Sequence, residues 1–431
     1  MSEPPVKLRI EKPIYGGAGL ARADGKAVFV PFTLPGELVE ANIREDKGGY
    51  ATAELEAVLE PAAMRTAAPC PYFGACGGCH YQHAEYTAQI QMKTGILRET
   101  LERARISAIP DIEVVSAEPF GYRNRVRLHV QANPFSLCYK FRNSHRNLPI
   151  TTCPIAAPAL QSAIEIFHRE GQALGVGSWA KEVELFAAGD GQILVSFFTE
   201  RPEKAAKDAL AACWRRLREM LSTLAGAAAV SAEKARAPGR HLAQEGDASL
   251  DYRSGDRSYR IGFGAFFQTN RFLIDALAQM VTDGEQGNTA WDLYAGVGLF
   301  SVPLAGRFDR VVAVESSASA VRDLRENLRG STHRIVASET AAFLRRALEQ
   351  HEGAPDLVVV DPPRAGLGRE VTGSLGKIRP RKITYVSCDP ATLSRDLAAL
   401  LESGYRLRKL HLVDLFPQTF HLESVTHLSL D

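Results

Sequence analysis

At 431 residues the chain exceeds one ordinary hydrophobic core, so two or three domains are expected. A formal net charge of +1 excludes a globally basic nucleic-acid binder and leaves room only for a local basic patch. The seven cysteines are odd in number and unevenly spaced, which argues against a disulfide framework, and no apolar run reaches the roughly 20 residues of a membrane helix.

Met1 is followed by no apolar leader, so a soluble cytoplasmic protein is expected, monomeric and without an obligate protein partner. Residues 6 to about 60 alternate short β-like runs (6–10, 27–30, 37–43) with turns at Gly16-Gly17, Asp24-Gly25, Pro35-Gly36 and Gly48-Gly49. Such closely spaced turn residues predict a small β-barrel over 1–62. Next come Cys70, Cys76 and Cys79, with Cys153 a long loop away, and Gly74, Gly77 and Gly78 allow the backbone to wrap closely around a metal. Four thiolates suit tetrahedral zinc or an iron–sulfur cluster. Cys138 and Cys213 lack partners at ligand spacing and read as structural. A helix follows over about 84–106, able to pack on the last domain.

The central stretch, 63–254, reads as mixed α+β, with an alanine-rich helical segment over 204–229 and a loop over 235–247. Between Phe120 and Arg146 there are six Lys or Arg residues and no acid. Arg123, Arg125, Arg127 and His129 alternate with Val126, Leu128 and Val130, which predicts a strand with one cationic and one buried face. Interleaved Tyr122, Tyr139 and Phe141 suit phosphate contact with base stacking.

From 255 to 431 apolar runs at 290–293, 310–314, 357–360 and 383–386 alternate with helical segments, which predicts a parallel, doubly wound sheet. Runs near 407–415 and 422–430 predict an antiparallel edge. A turn with Gly296 and Gly298 leads from the first strand into its helix, where ligands of open α/β sheets bind. Ser301 stands where a dinucleotide fingerprint needs its third glycine, so NAD is disfavoured. Glu315 and Asp361 end two further strands, and this set fits S-adenosylmethionine better than a phosphate-rich ligand. Cys388 ends a fourth strand ahead of a helix opened by Asp389 and Pro390, a setting for a low-pKa nucleophile. Glu423, a carboxylate in an otherwise apolar run, is the candidate base.

The segments 266–270, 292–300, 361–364, 387–397 and 416–423 resemble, in order and spacing, the RNA uracil-5 methyltransferase family, and the N-terminal barrel resembles the OB-like TRAM domain of its ribosomal-RNA members. The resemblance implies a multidomain protein: a TRAM-like barrel, a central RNA-binding domain with an iron–sulfur site, and a C-terminal Rossmann-like methyltransferase domain. It implies that Gln268, Tyr294, Glu315 and Asp361 contact S-adenosylmethionine, that Cys388 adds to carbon 6 of uracil, and that Glu423 removes the proton from carbon 5. It further implies a [4Fe-4S] cluster on Cys70, Cys76, Cys79 and Cys153. Phe266 or Phe267 is then placed to stack on a uracil flipped out of folded RNA. Leu299 departs from the pattern, since some members carry Asn there. The expected substrate is 23S rRNA, with tRNA as the alternative; an inactive iron–sulfur RNA-binding protein is the reading outside enzymology.

Overall fold

A computed structural model describes residues 4–232, 239–330 and 333–430. Its first unit is a closed five-stranded barrel in which Val6–Pro13, Ala18–Ala23, Lys26–Pro31, Tyr50–Glu60 and Leu38–Asp46 are successive neighbours. Asp24 and Gly25 both have positive φ and form the two-residue turn between Ala23 and its partner Lys26, as the Asp-Gly pair predicts. Leu8, Ile10, Val28, Val30 and Val39 fill the barrel, because side chains alternate between its inside and outside.

The central unit is a seven-stranded sheet in the order His241–Gly246, Leu224–Ser231, Ile193–Thr199, Glu182–Ala187, Arg125–Ala132, Phe135–Lys140, Asn147–Pro149. The helices Pro158–Glu170 and Glu203–Met220 bury Leu160, Phe167, Leu210 and Leu217 on one face. Two expectations need correction. The helical segment over 204–229 stops at Met220, and Leu224–Ser231 is a strand with Ala227, Ala228 and Ala229 fully buried. Alanine favours helix, but this strand pairs on both edges and is packed on both faces, which overrides a propensity of tenths of a kcal/mol per residue. The loop over 235–247 contains the strand His241–Gly246, while residues 233–238 of it lie outside the described residues.

The largest sheet has eight strands in the order Arg334–Ala337, Phe308–Glu315, Gly287–Leu293, Leu357–Val360, Lys382–Ser387, Glu423–Ser429, Arg406–Val413, Ile112–Val115. The first five run parallel and Glu423–Ser429 is antiparallel to both its neighbours. The order reverses between Gly287–Leu293 and Leu357–Val360, which opens the ligand crevice over their carboxyl ends. The outermost strand comes from the central stretch of sequence: Ile112–Val115 pairs in parallel with Arg406–Val413. The helix Tyr86–Arg103 precedes it and packs Ile96, Leu97 and Leu101 into the same core as Leu393, Leu397 and Leu400. Among the described residues no helix is long and apolar enough to cross a membrane.

That helix carries a buried ion pair that nothing local in the sequence announces. Lys93 Nζ donates to Asp414 Oδ1 at 2.5 Å and to the Phe416 carbonyl at 2.9 Å, and Tyr86 donates its hydroxyl to Asp414 Oδ2 at 2.9 Å. Both charges are at most 1% exposed. Burial pulls the Lys93 ammonium down from its usual value and Asp414 opposes that shift. Replacing Lys93 by Met leaves a carboxylate buried without its cation, a loss of about 3–5 kcal/mol. Lys93→Met is therefore expected to unfold at a clearly lower denaturant midpoint, with faster amide exchange over 414–420. A wild-type midpoint would show that the pair contributes nothing.

Candidate active site

The crevice is assembled from strand ends. The chain leaves Gly287–Leu293 through Tyr294, whose φ of 64° lies in the left-handed region, followed by Gly296 at 56° and Gly298 at 96°. A bulky residue in that region is strained, and such strain is held at sites where the surroundings over-determine the backbone. Glu315 supplies part of that restraint: its Oε2 accepts from Gly296 N at 2.9 Å and its Oε1 from Ser317 N at 2.7 Å. Glu315 thus holds the glycine turn through one oxygen and the start of the next helix through the other. Leu299, where the sequence departs from the family pattern, is buried in the core.

Sequence reasoning missed Asp292. It is fully buried; its Oδ2 accepts a short hydrogen bond from the Ser301 hydroxyl, while its Oδ1 is buried without a partner. Burial pushes its carboxyl up to about 7, with Ser301 opposing and Glu315 assisting. The residue that breaks the dinucleotide fingerprint is therefore the partner of this acid. An acid inside the apolar run Ala290-Trp291-Asp292-Leu293 was the available signal.

Asp361 stands beside it at the end of Leu357–Val360 and is likewise pushed up to about 7, by burial and then by Asp292. Gln268 is buried and donates from Nε2 to Asp361 Oδ2 at 3.3 Å. Its neighbours in the chain divide: Phe266 is 65% exposed, whereas Phe267 is 2% exposed and packs against Tyr252 and Tyr259. Only Phe266 remains available for stacking.

Cys388 follows Lys382–Ser387 and is half-buried. Glu423, 3% exposed, begins the neighbouring antiparallel strand, whose first pair is Ser387 with Ser424. The expected low thiol pKa is corrected here. Burial first, then Glu423 and Asp361, push the Cys388 thiol up to about 12, and Arg364 opposes them. The helix N-terminus that was to favour a thiolate is already satisfied, because Asp389 Oδ1 accepts from Ala391 N at 3.0 Å and Thr392 N at 2.9 Å. Glu423 is itself held well above the usual carboxylate range by burial and by Asp361.

The loop that delivers Glu423 is fastened from four sides. Gln418 has a φ of 68°, and its carbonyl accepts from His80 N at 2.8 Å and Tyr81 N at 3.0 Å. Gln89 and Gln418 exchange two hydrogen bonds at 3.0 Å, Tyr122 donates to the Pro417 carbonyl at 3.0 Å, and Asn270 donates to the Leu415 carbonyl at 3.1 Å. His80 directly follows Cys79. Cys70, Cys76, Cys79 and Cys153 line one cavity of about 380 Å³ together with Tyr72, Tyr139 and Arg123. Among the described residues no three His, Cys, Asp or Glu side chains close into a set for a metal ion. The four thiols surround a shared space instead, in which Gly78 N donates to Cys76 Sγ at 3.4 Å and Tyr139 to Cys153 Sγ at 3.7 Å.

The cationic strand face also needs correction. Arg125, Arg127 and His129 do share a face of Arg125–Ala132, but the adjacent strand neutralises it: Arg125 pairs with Glu184 at 2.8 Å, Arg127 with Glu182 at 2.7 Å and His129 with Glu182 at 3.0 Å. Tyr122 is fully buried and unavailable to a base. In the same stretch Arg142 lies over the Phe32 ring at 4.9 Å and Arg146 over Phe141 at 5.1 Å, neither with an ion pair among the described residues.

Comparison with known proteins gives the same answer over nearly all of the chain. Residues 6–55 match the TRAM domain and residues 85–430 match the family tRNA (Uracil-5-)-methyltransferase. An RNA methyltransferase of uncharacterized role from Aquifex aeolicus is 34% identical over 99% of both chains. The 23S rRNA (uracil(1939)-C(5))-methyltransferase RlmD of Pectobacterium atrosepticum is 32% identical over 95% of this chain and 90% of its own. In fold, the tRNA (uracil-54, C5)-methyltransferase of Pyrococcus abyssi, solved with S-adenosyl-L-homocysteine, superposes with a TM-score of 0.76 over 98% of this chain and 100% of its own, at 23% identity. With a family model matched over most of its length and relatives more than 30% identical along nearly all of it, the chain belongs to the tRNA (uracil-5-)-methyltransferase family.

Proposed function

We propose that this enzyme methylates carbon 5 of a uridine in 23S rRNA, with S-adenosylmethionine as donor and with Cys388 and Glu423 as the catalytic pair. The observation that carries the reading is the convergence of Cys388, Glu423 and Asp361, from three strand ends, within Coulombic reach of one another. Ribosomal RNA as the target draws on relatives such as the Pectobacterium enzyme.

S-adenosylmethionine supplies an electrophilic methyl group and a positive charge. Gln268, Tyr294, Glu315 and Asp361 are the residues to hold it. Held by these residues, its positive charge would offset the carboxylates that raise the Cys388 and Glu423 pKa values and so would favour loss of their protons to solvent. Cys388 then adds to carbon 6 and makes carbon 5 an enolate carbon able to take the methyl group; Glu423 removes the carbon 5 proton and the thiolate leaves. Phe266 is the ring for the extruded base.

Cys70, Cys76, Cys79 and Cys153 suit a [4Fe-4S] cluster, since four thiols around one cavity match its ligand demand and a cluster spreads its thiolates wider than a single ion. Bound there, it would brace the loop whose His80 and Tyr81 amides hold Gln418. We read 1–62 as the TRAM-like unit, 63–254 as the RNA-binding unit and 255–431 as the methyltransferase, with residues 86–115 serving the catalytic layer, in a cytoplasmic monomer.

Protein purified without oxygen is expected to carry about four irons per chain and to transfer labelled methyl groups to unmethylated 23S rRNA, yielding 5-methyluridine by mass spectrometry. Product on tRNA alone would reject the ribosomal target. Full iron loading with no 5-methyluridine in either RNA would reject the reaction.

A further inference from the structure

The turn between the first two barrel strands, Val6–Pro13 and Ala18–Ala23, reaches the catalytic edge. Gly16 and Gly17 have φ of 105° and 91°, a conformation open to glycine, and the turn closes through Ile14 N to the Ala18 carbonyl at 2.9 Å. Tyr15 is thereby carried out of the barrel. Its hydroxyl donates to Asp389 Oδ2 at 3.1 Å, and its ring meets Phe420 edge-on at 5.5 Å. A Cβ on Gly17 would lie 3.2 Å from the His80 ring, which itself stands 4.6 Å from Phe420. Barrel, thiol loop and base loop therefore meet on one phenylalanine, three residues before Glu423.

Asp389 is the residue after Cys388, and its two oxygens have separate duties. Oδ1 caps the helix Pro390–Glu402, while Oδ2 takes the Tyr15 hydroxyl. The second bond fixes the Asp389 side chain from outside its helix and so restrains the backbone next to the thiol. Cys388 and Arg364 are both among the charges that the Tyr15 hydroxyl feels. The groups facing the thiol are thus Glu423, Asp361, Arg364 and, through Asp389, Tyr15.

We propose that Tyr15 is a positioning residue of the methyl-transfer reaction, so that the N-terminal barrel completes the active site by holding Asp389 and, through it, the Cys388 thiol. The barrel then has a duty distinct from gripping RNA. The proposal rests on Cys388 being the nucleophile.

Tyr15→Phe keeps the ring against Phe420 and removes only the hydroxyl. In the full-length enzyme it is expected to lower kcat roughly tenfold with the KM for RNA unchanged, and to slow alkylation of Cys388 by iodoacetamide by a similar factor. Asp389→Asn retains a capping side chain, and the double variant Tyr15→Phe/Asp389→Asn is expected to be no slower than the slower single one, as for two groups acting through one bond. A rise in KM alone, or unchanged kcat and alkylation, would overturn the proposal and leave the barrel as an RNA grip. Additive losses would overturn the route through Asp389. Alkylation reads the thiol without RNA, so a methylating Cys388→Ala enzyme would sink the nucleophile assignment separately.

Discussion

Cys388→Ala is expected to abolish 5-methyluridine formation, with kcat lowered by at least roughly 10⁴-fold, the scale on which covalent nucleophiles are lost. Carbon 5 of uracil is too weak a nucleophile to attack a sulfonium unless carbon 6 has first accepted a thiolate, and no other cysteine lies in the crevice. Cys70, Cys76, Cys79 and Cys153 line a separate cavity, and Cys138 and Cys213 are buried. Removing one sulfur from a half-buried position disturbs little packing, so the variant should still bind donor and RNA. Wild-type 5-methyluridine from this variant would end the covalent mechanism. The raised thiol pKa adds a second expectation: alkylation of Cys388 in the ligand-free protein should be slow at neutral pH and should quicken when S-adenosylmethionine is added.

Glu423→Gln should behave oppositely on RNA. Glutamine matches the shape of the protonated acid but cannot take the carbon 5 proton, so methyl transfer proceeds to a methylated covalent adduct that does not resolve. A protein–RNA species stable on denaturing gels is expected, with turnover down by about 10²–10⁴-fold. Release of fully methylated RNA without an adduct would remove Glu423 from the role of base. The sign of the stability change separates this from damage to the fold. Burial and Asp361 raise the Glu423 pKa in the folded protein above its ordinary 4.5. Stability is then complete below about pH 4.5 and falls as pH rises toward the folded value, because the unfolded chain ionises first. Glutamine escapes that loss, so at neutral pH Glu423→Gln should unfold at a temperature no lower than wild type. An earlier transition would mean that the ionised carboxylate supports the fold.

Much of this site is legible from sequence because strand ends advertise themselves locally. An apolar run closed by an acid, glycine or cysteine says which residue stands at the carboxyl edge, and Gly296, Glu315, Asp361 and Cys388 were found on that basis. The barrel was legible through its turn residues. The alternation of Arg125, Arg127 and His129 correctly announced a shared face, but the face's charge was misread. Glu182 and Glu184 come from a strand more than 50 residues away, and pairing rather than periodicity decides who sits opposite.

By itself, then, the sequence determined the order of units, the type of most elements and the residues capable of chemistry, since these depend on short-range pattern and side-chain identity. Tertiary structure decided their electrostatic state and their anchoring. Asp292 and Asp361 hold their protons more tightly because two neighbouring strand ends desolvate them side by side. Lys93 finds Asp414 across 321 residues, and Tyr15 finds Asp389 across 374. Neither spacing carries a local signature, because desolvation and Coulomb energy depend on distance in space, and only the packed sheet sets that distance.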